Sequence, residues 1–233
     1  MTDRTPAAPR AGVDRVVVDL LVLAVRDRRP HLLTSAGAAA AHTNRDDLPS
    51  AVVERGGIGA TADRLLVALT GTDPEQAARI GLSSAPCEPV IEDGAVRIRS
   101  AALAGPDLDA PPGWAWTPVA DAAHGDAEPL ILGALCEIRY LMATTAIAVR
   151  LCPPAFTITD LREAYEAMWG SSLDPGNFDR TLHRRGVLQA LDARDRSSRG
   201  GRPAQLYRAD PTAYYTTAMT VPVDFADHPR HGL

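Results

Sequence analysis

The chain has no lysine: all 24 of its basic residues are arginine. This goes with abundant alanine, glycine and proline and reads as GC-rich coding, so no function follows from it. Cysteine is nearly absent as well. Cys87, Cys136 and Cys152 are an odd number without a C-x-x-C spacing, which speaks for reduced thiols in a cytoplasm and against a disulfide framework or a zinc site. The longest apolar stretches, residues 16–25 and 143–149, are too short to cross a bilayer, and residues 1–14 lack the apolar run of a signal peptide. A cytoplasmic protein without a membrane partner is expected. The six histidines show no H-x-x-x-H or H-E-x-x-H spacing, and neither a G-x-S-x-G elbow nor a P-loop occurs. Hence no metal, cofactor or catalytic residue is assigned.

What is present is an ordinary globular composition, 45% hydrophobic and 23% charged in 233 residues, enough for one large domain or two smaller ones. The net charge of −5 taken whole opposes nucleic-acid binding. Its distribution does not. Residues 175–208 hold eight arginines and three acids, a local +5 that leaves −10 on the rest of the chain. A short basic segment on an acidic body is the asymmetry expected of a DNA reader.

Residues 1–14 read as a disordered tail. The β-branched run at 16–25 predicts a buried strand, with His31–Thr34 returning as its partner. A helix is expected over 61–69, ending at Gly71, then a strand over 96–103 and a short extended edge at Trp114–Pro118. Together they make an α+β domain over residues 15–127. Leu132, Leu135, Ile138, Leu141 and Met142 recur at helical steps and predict a connecting helix over 128–152. Pro153-Pro154 marks the boundary.

Residues 153–212 carry the clearest pattern. One helix begins near Thr159, read as its N-cap, buries Leu161, Ala164, Tyr165 and Met168 on one face, and ends at Gly170. Asp174-Pro175 opens a second helix that runs to Arg185 and stops at Gly186. Its inward face is Phe178, Leu182 and the stem of Arg185. Arg180 and Arg184 point outward, flanked by Asn177, Thr181 and His183, as a major-groove helix requires. Strand-like runs at 187–191 and 204–208 bracket an arginine-rich loop with Arg194, Arg196, Arg199 and Arg202, which suits a wing meeting phosphates or a narrow minor groove. A run of arginines alone is usually a solvated face. A helix-turn-helix followed by a basic wing is harder to obtain by accident. On this reading Asn177, Arg180 and Arg184 contact bases, and Arg185 with the wing arginines meets phosphates. The tail over 213–233 is expected to be irregular.

The stretches PAFTITDLREAYEAMWG from Pro154, LDPGNF from Leu173 and GRPAQLYR from Gly201 resemble the winged-helix half of the Nudix-related transcriptional regulators. The resemblance covers about 60 residues and extends weakly over the preceding helix. It implies a Nudix-like mixed α/β sandwich before the winged helix, and a homodimeric cytoplasmic regulator, usually a repressor, on a palindromic double-stranded DNA operator. The family has a basic run after Asn-Phe; here it reads Asp179-Arg180-Thr181-Leu182.

Laid on a Nudix fold, Leu48-Pro49-Ser50-Ala51 stands where the family has Leu-Pro-Gly-Gly, and the helix near 60–71 falls on the Nudix box. Arg64 survives there, but Leu65, Ala68 and Leu69 occupy the acidic positions. A hard divalent cation needs carboxylate oxygens, so hydrolysis is not expected. Two roles for this domain stay open, a sensor for a nucleotide- or sugar-type effector and a dimerisation platform. Arg97 and Arg99 alternate on one strand and are the candidate ligand contacts, against the wet face of a half-buried strand. Trp114 and Trp116 suit either nucleobase stacking or edge packing. The rival functions are a divergent Nudix hydrolase acting on a nucleoside diphosphate derivative and a protein-interaction module.

Overall fold

The computed structural model describes residues 14–37, 45–71, 73, 89–92, 94–195, 203–215 and 219. Strands β1 (Arg15–Arg26), β2 (Arg29–Ser35), β3 (Ser50–Val52), β4 (Val90–Glu92), β5 (Ala95–Ala104) and β6 (Trp114–Pro118) build one mixed sheet. Its order is β4-β5-β1-β2-β6, with β3 pairing separately onto β1. The central β1 runs parallel to β5 and antiparallel to β2. Strands β3 and β4, three residues each, are too short to leave a period in the sequence.

Alternation along β1 sends side chains to two faces. Leu20, Val22 and Ala24 join Leu66 and Leu69 of helix α1 (Gly57–Thr70), which ends at Gly71 in the left-handed conformation, φ 65°. Leu21 and Leu23 face the opposite way, toward a short helix α2 (Val119–Ala122) and the long α3 (Glu128–Thr144). The result is helix, sheet and helix in layers.

The strand turn Asp27-Arg28 has positive φ at both residues, 47° and 59°, the primed hairpin geometry in which Asn-Gly is preferred.

Helix α3 does more than link. Leu130, Ile131, Ala134, Leu135, Ile138 and Met142 are buried in a single cluster that also holds sheet residues and Phe156, Tyr165, Trp169, Phe178 and Leu182 of the carboxy-terminal half. A 3-10 segment, Ala146–Leu151, packs into the same cluster and leads to α4 (Ile158–Trp169), α5 (Pro175–Arg185), β7 (Gln189–Asp195) and β8 (Ala204–Arg208). The N-cap of α4 is Thr157, not Thr159. Thr157 Oγ1 accepts from Asp160 N at 3.1 Å while the Asp160 carboxylate accepts from Thr157 N at 2.8 Å, closing a capping box.

Among the described residues no helix is long and apolar enough to cross a membrane. Residues 1–13 and 220–233, expected as tails, lie outside the described residues.

Candidate nucleic-acid interface

Helix α5 is held from within by two side chains. Phe178 and Leu182 are 3% and 0% exposed, and Phe178 meets Tyr165 edge-on with ring centroids 5.4 Å apart. Asp174 caps the helix by accepting from Asn177 N at 2.7 Å, and Gly186 closes it with φ 66°. The turn before it is fixed by Glu166, whose carboxylate accepts from Leu173 N at 2.9 Å and from Arg162 at 2.7 Å. The hairpin turn of the first half reaches α4: Arg28 lies 3.4 Å from Glu163 and 3.7 Å from Glu166.

With the inward face filled, Asn177, Arg180 and Arg184 are exposed along the outer face, at steps of three and four residues, and Thr181 is half-buried beside them. Neither Arg180 nor Arg184 makes a hydrogen bond or ion pair with any described residue. His183 is also exposed but committed: its Nδ1 lies 3.1 Å from the Asp179 carboxylate, and its ring meets Tyr207 of β8 edge-on at 6.0 Å. So His183, held by Asp179 one turn earlier on the same helix, ties the helix to the wing.

The wing is β7 and β8, antiparallel, with a register shift between Ala190 and Arg194. The Gln205 side-chain amide fills that irregularity by donating to Leu191 O at 2.5 Å. Phe156 adds a one-residue third strand, pairing with Tyr207 in both directions. Arg194 is exposed at the wing edge. Arg196, Arg199 and Arg202 lie outside the described residues.

Three of the expected site arginines have partners within the fold. Arg185 does not stand with the outer face: its guanidinium lies over the ring of Tyr215, 4.4 Å from the centroid, and burial pulls its pKa below the usual arginine value. Arg97 and Arg99 each bond across the fold. Arg97 makes a two-pronged pair with Asp19, whose residue is fully buried, at 2.9 and 2.5 Å. Arg99 crosses α3 at Gly133, where a Cβ would come within 2.0 Å of its Nη1, and donates to Leu130 O at 3.0 Å. Both arginines therefore hold the sheet and its covering helix together. Sequence spacing alone could not show partners 78 and about 30 residues away.

Trp116 donates from its ring nitrogen to Leu108 O at 3.2 Å and lies under Arg26, 4.6 Å away. This is edge packing.

On α1, Arg64 pairs with Glu54 at 3.6 Å and reaches Thr61 at 3.1 Å. Leu69 is buried, Leu65 packs half-buried against the same cluster, and Ala68 is exposed. The divalent cation that a Nudix fold implies does not fit these residues: three hydrocarbon side chains stand where carboxylates would have to donate oxygen.

Residues 148–209 match the NrtR DNA-binding winged helix domain. The carboxy-terminal module is similar to the NrtR-type winged helix. Over 83 residues the chain is 35% identical to the ADPR responsive transcriptional repressor NtrR of Acinetobacter baylyi, a match that covers 36% of this chain and 32% of that protein. The fold likeness reaches further. Shewanella oneidensis NrtR superimposes over 88% of this chain and 100% of its own, with a TM-score of 0.71 at 17% identity. The same regulator complexed with a 27mer DNA gives 0.67 over 88% and 99%, again at 17% identity. A MutT/nudix family protein from Enterococcus faecalis gives 0.60 over 89% of this chain and 90% of that one, at 15% identity. The first half is thus a Nudix-like sandwich, followed by the NrtR-type module.

Proposed function

We propose that this protein is a transcriptional regulator, a homodimeric repressor that reads a palindromic operator with two copies of α5. The observation that carries the proposal is the outer face of that helix. Asn177, Arg180 and Arg184 are exposed, Arg180 and Arg184 have no partner among the described residues, and the helix is rigidly seated beside a two-stranded wing. Arginine matches guanine O6 and N7, and asparagine matches adenine N6 and N7. Arg194 and, beyond the described residues, Arg196, Arg199 and Arg202 would meet phosphates. One such helix contacts only a few base pairs, so selectivity in a genome calls for two copies on a two-fold site. We take residues 15–127 as the sensing and dimerising part, 128–152 as the shared connection and 153–212 as the DNA-binding part, in a cytoplasmic protein.

The Nudix-like domain senses rather than hydrolyses, in this reading. The Acinetobacter relative is named for its response to ADPR, and the cation-holding positions here are Leu65, Ala68 and Leu69. ADP-ribose is accordingly the first effector to try.

The test is binding of the purified protein to its own upstream intergenic DNA and to random DNA across a salt series. Selective binding that falls steeply with salt is expected, followed by release on adding ADP-ribose. Equal affinity for both DNAs would overturn the operator. Turnover of ADP-ribose with Mg²⁺, abolished by a chelator, would make the protein a hydrolase.

A further inference from the structure

Past the wing the chain turns back over the seam between the two halves. Ala146 N donates to Ala213 O at 2.8 Å, Tyr215 N to Thr144 O at 2.8 Å and Met219 N to Ala143 O at 2.7 Å. Thr145 and Tyr214 form an antiparallel bridge. Alternation along this strap buries Tyr215 and leaves Tyr214 exposed, as an extended segment on a core must.

Tyr215 is the centre of a buried chain of contacts. Tyr165 of α4, fully buried, donates from its hydroxyl to Met142 O in α3 at 2.7 Å. Its proton is thereby committed, so the Tyr215 hydroxyl, 2.9 Å away, must donate to the Tyr165 oxygen. The opposite side of this chain is Arg185, over the Tyr215 ring. Its buried Nη1 has no hydrogen-bond partner, so among the described residues the ring face, and no carboxylate, holds the cation. Burial raises the pKa of both phenols and keeps both rings neutral. The path Met142, Tyr165, Tyr215, Arg185 runs from the connecting helix α3 to the last residue of α5, beside Arg184.

We propose that Tyr215 and Arg185 are positioning residues of the DNA interface: the strap clamps the carboxy-terminal end of α5 to α3, and Arg185 serves that clamp instead of a phosphate. The strap lies beyond residues 148–209, so the match to the NrtR winged helix assigns it nothing. The assignment rests on the DNA-binding reading above.

The full-length protein, its upstream DNA and random DNA are titrated across salt with Arg185→Gln, Arg185→Lys, Tyr215→Phe and Tyr215→Ala. Arg185→Gln should lower affinity for the upstream DNA about tenfold while leaving the slope of log K on log salt unchanged, because no phosphate contact is lost. A slope flatter by about one unit would make Arg185 a phosphate contact and overturn the clamp. Arg185→Lys and Tyr215→Phe keep the cation and the ring and should stay within about threefold of the parent. Tyr215→Ala should match Arg185→Gln, and the double variant should be no worse than either; additive losses would overturn the coupling. Where Tyr215→Ala fails to fold, the salt slope of Arg185→Gln and the rescue by lysine still decide. If the parent protein shows no preference for the upstream DNA at any salt, the DNA reading falls; a preference with a flattened Arg185→Gln slope removes the clamp alone.

Discussion

Helices α1 and α5 are built alike and present opposite surfaces. Each is seated by fully buried leucines, Leu66 in one and Leu182 in the other, and each stops at a glycine in the left-handed region. On α1, Leu65, Ala68 and Leu69 are hydrocarbon, and Arg64 is tied to Glu54 and Thr61. On α5 the outer face keeps Asn177, Arg180 and Arg184 exposed. Packing residues alone preserve a helix; a site survives only where polar groups remain uncommitted. On α1 the charged group is committed within the fold, whereas on α5 Arg180 and Arg184 are exposed without a partner among the described residues.

The strongest way to break this comparison is to look for lost chemistry in the sheet. If Arg97 is structural, Arg97→Ala strands the buried Asp19 carboxylate and should cost about 3–5 kcal/mol, read as a lower urea midpoint. Unchanged stability with weakened ADP-ribose binding would instead return Arg97 to a ligand site and make the first half a working pocket. On α5 the effect should be on recognition, not folding. Arg184→Ala is expected to cost about 1–3 kcal/mol of discrimination between operator and random DNA, with an unchanged melting curve. Equal loss on both DNAs would demote Arg184 to a phosphate contact. Arg194→Ala on the wing should weaken both DNAs alike and flatten the salt slope by about one unit. An unchanged slope would take that edge of the wing out of the interface.

The helix-turn-helix was legible because its signals are local. Leucine and aromatic spacing, Asp174-Pro175 at one start and Gly170 and Gly186 at two ends all act within a few residues. The cap of α4 was misplaced by one choice between two threonines. Only Thr157 has an acid three residues on, and that spacing is what closes the box. Long-range partnerships were another matter. That Arg97 belongs to Asp19, Arg185 to Tyr215 and Arg28 to Glu163 and Glu166 depends on how strands and helices stack. A lone arginine in a sequence looks the same whether it awaits a phosphate or already has a partner.

The mildest substitution tests the other side of the comparison, by returning a carboxylate to α1. Ala68 is exposed, so Ala68→Glu displaces no packing and should change stability by no more than about 0.5 kcal/mol. Leu65 and Leu69 still face it with hydrocarbon, and a divalent cation bound to one carboxylate keeps most of its water. No Mg²⁺-dependent turnover of ADP-ribose is therefore expected from the single change. If turnover did appear, assayed with and without chelator, Asp63 on α1 and Glu54 before it would have to supply the missing oxygens. The first half would then be an enzyme one residue from activity, and packing would have preserved more of the site than its surface shows.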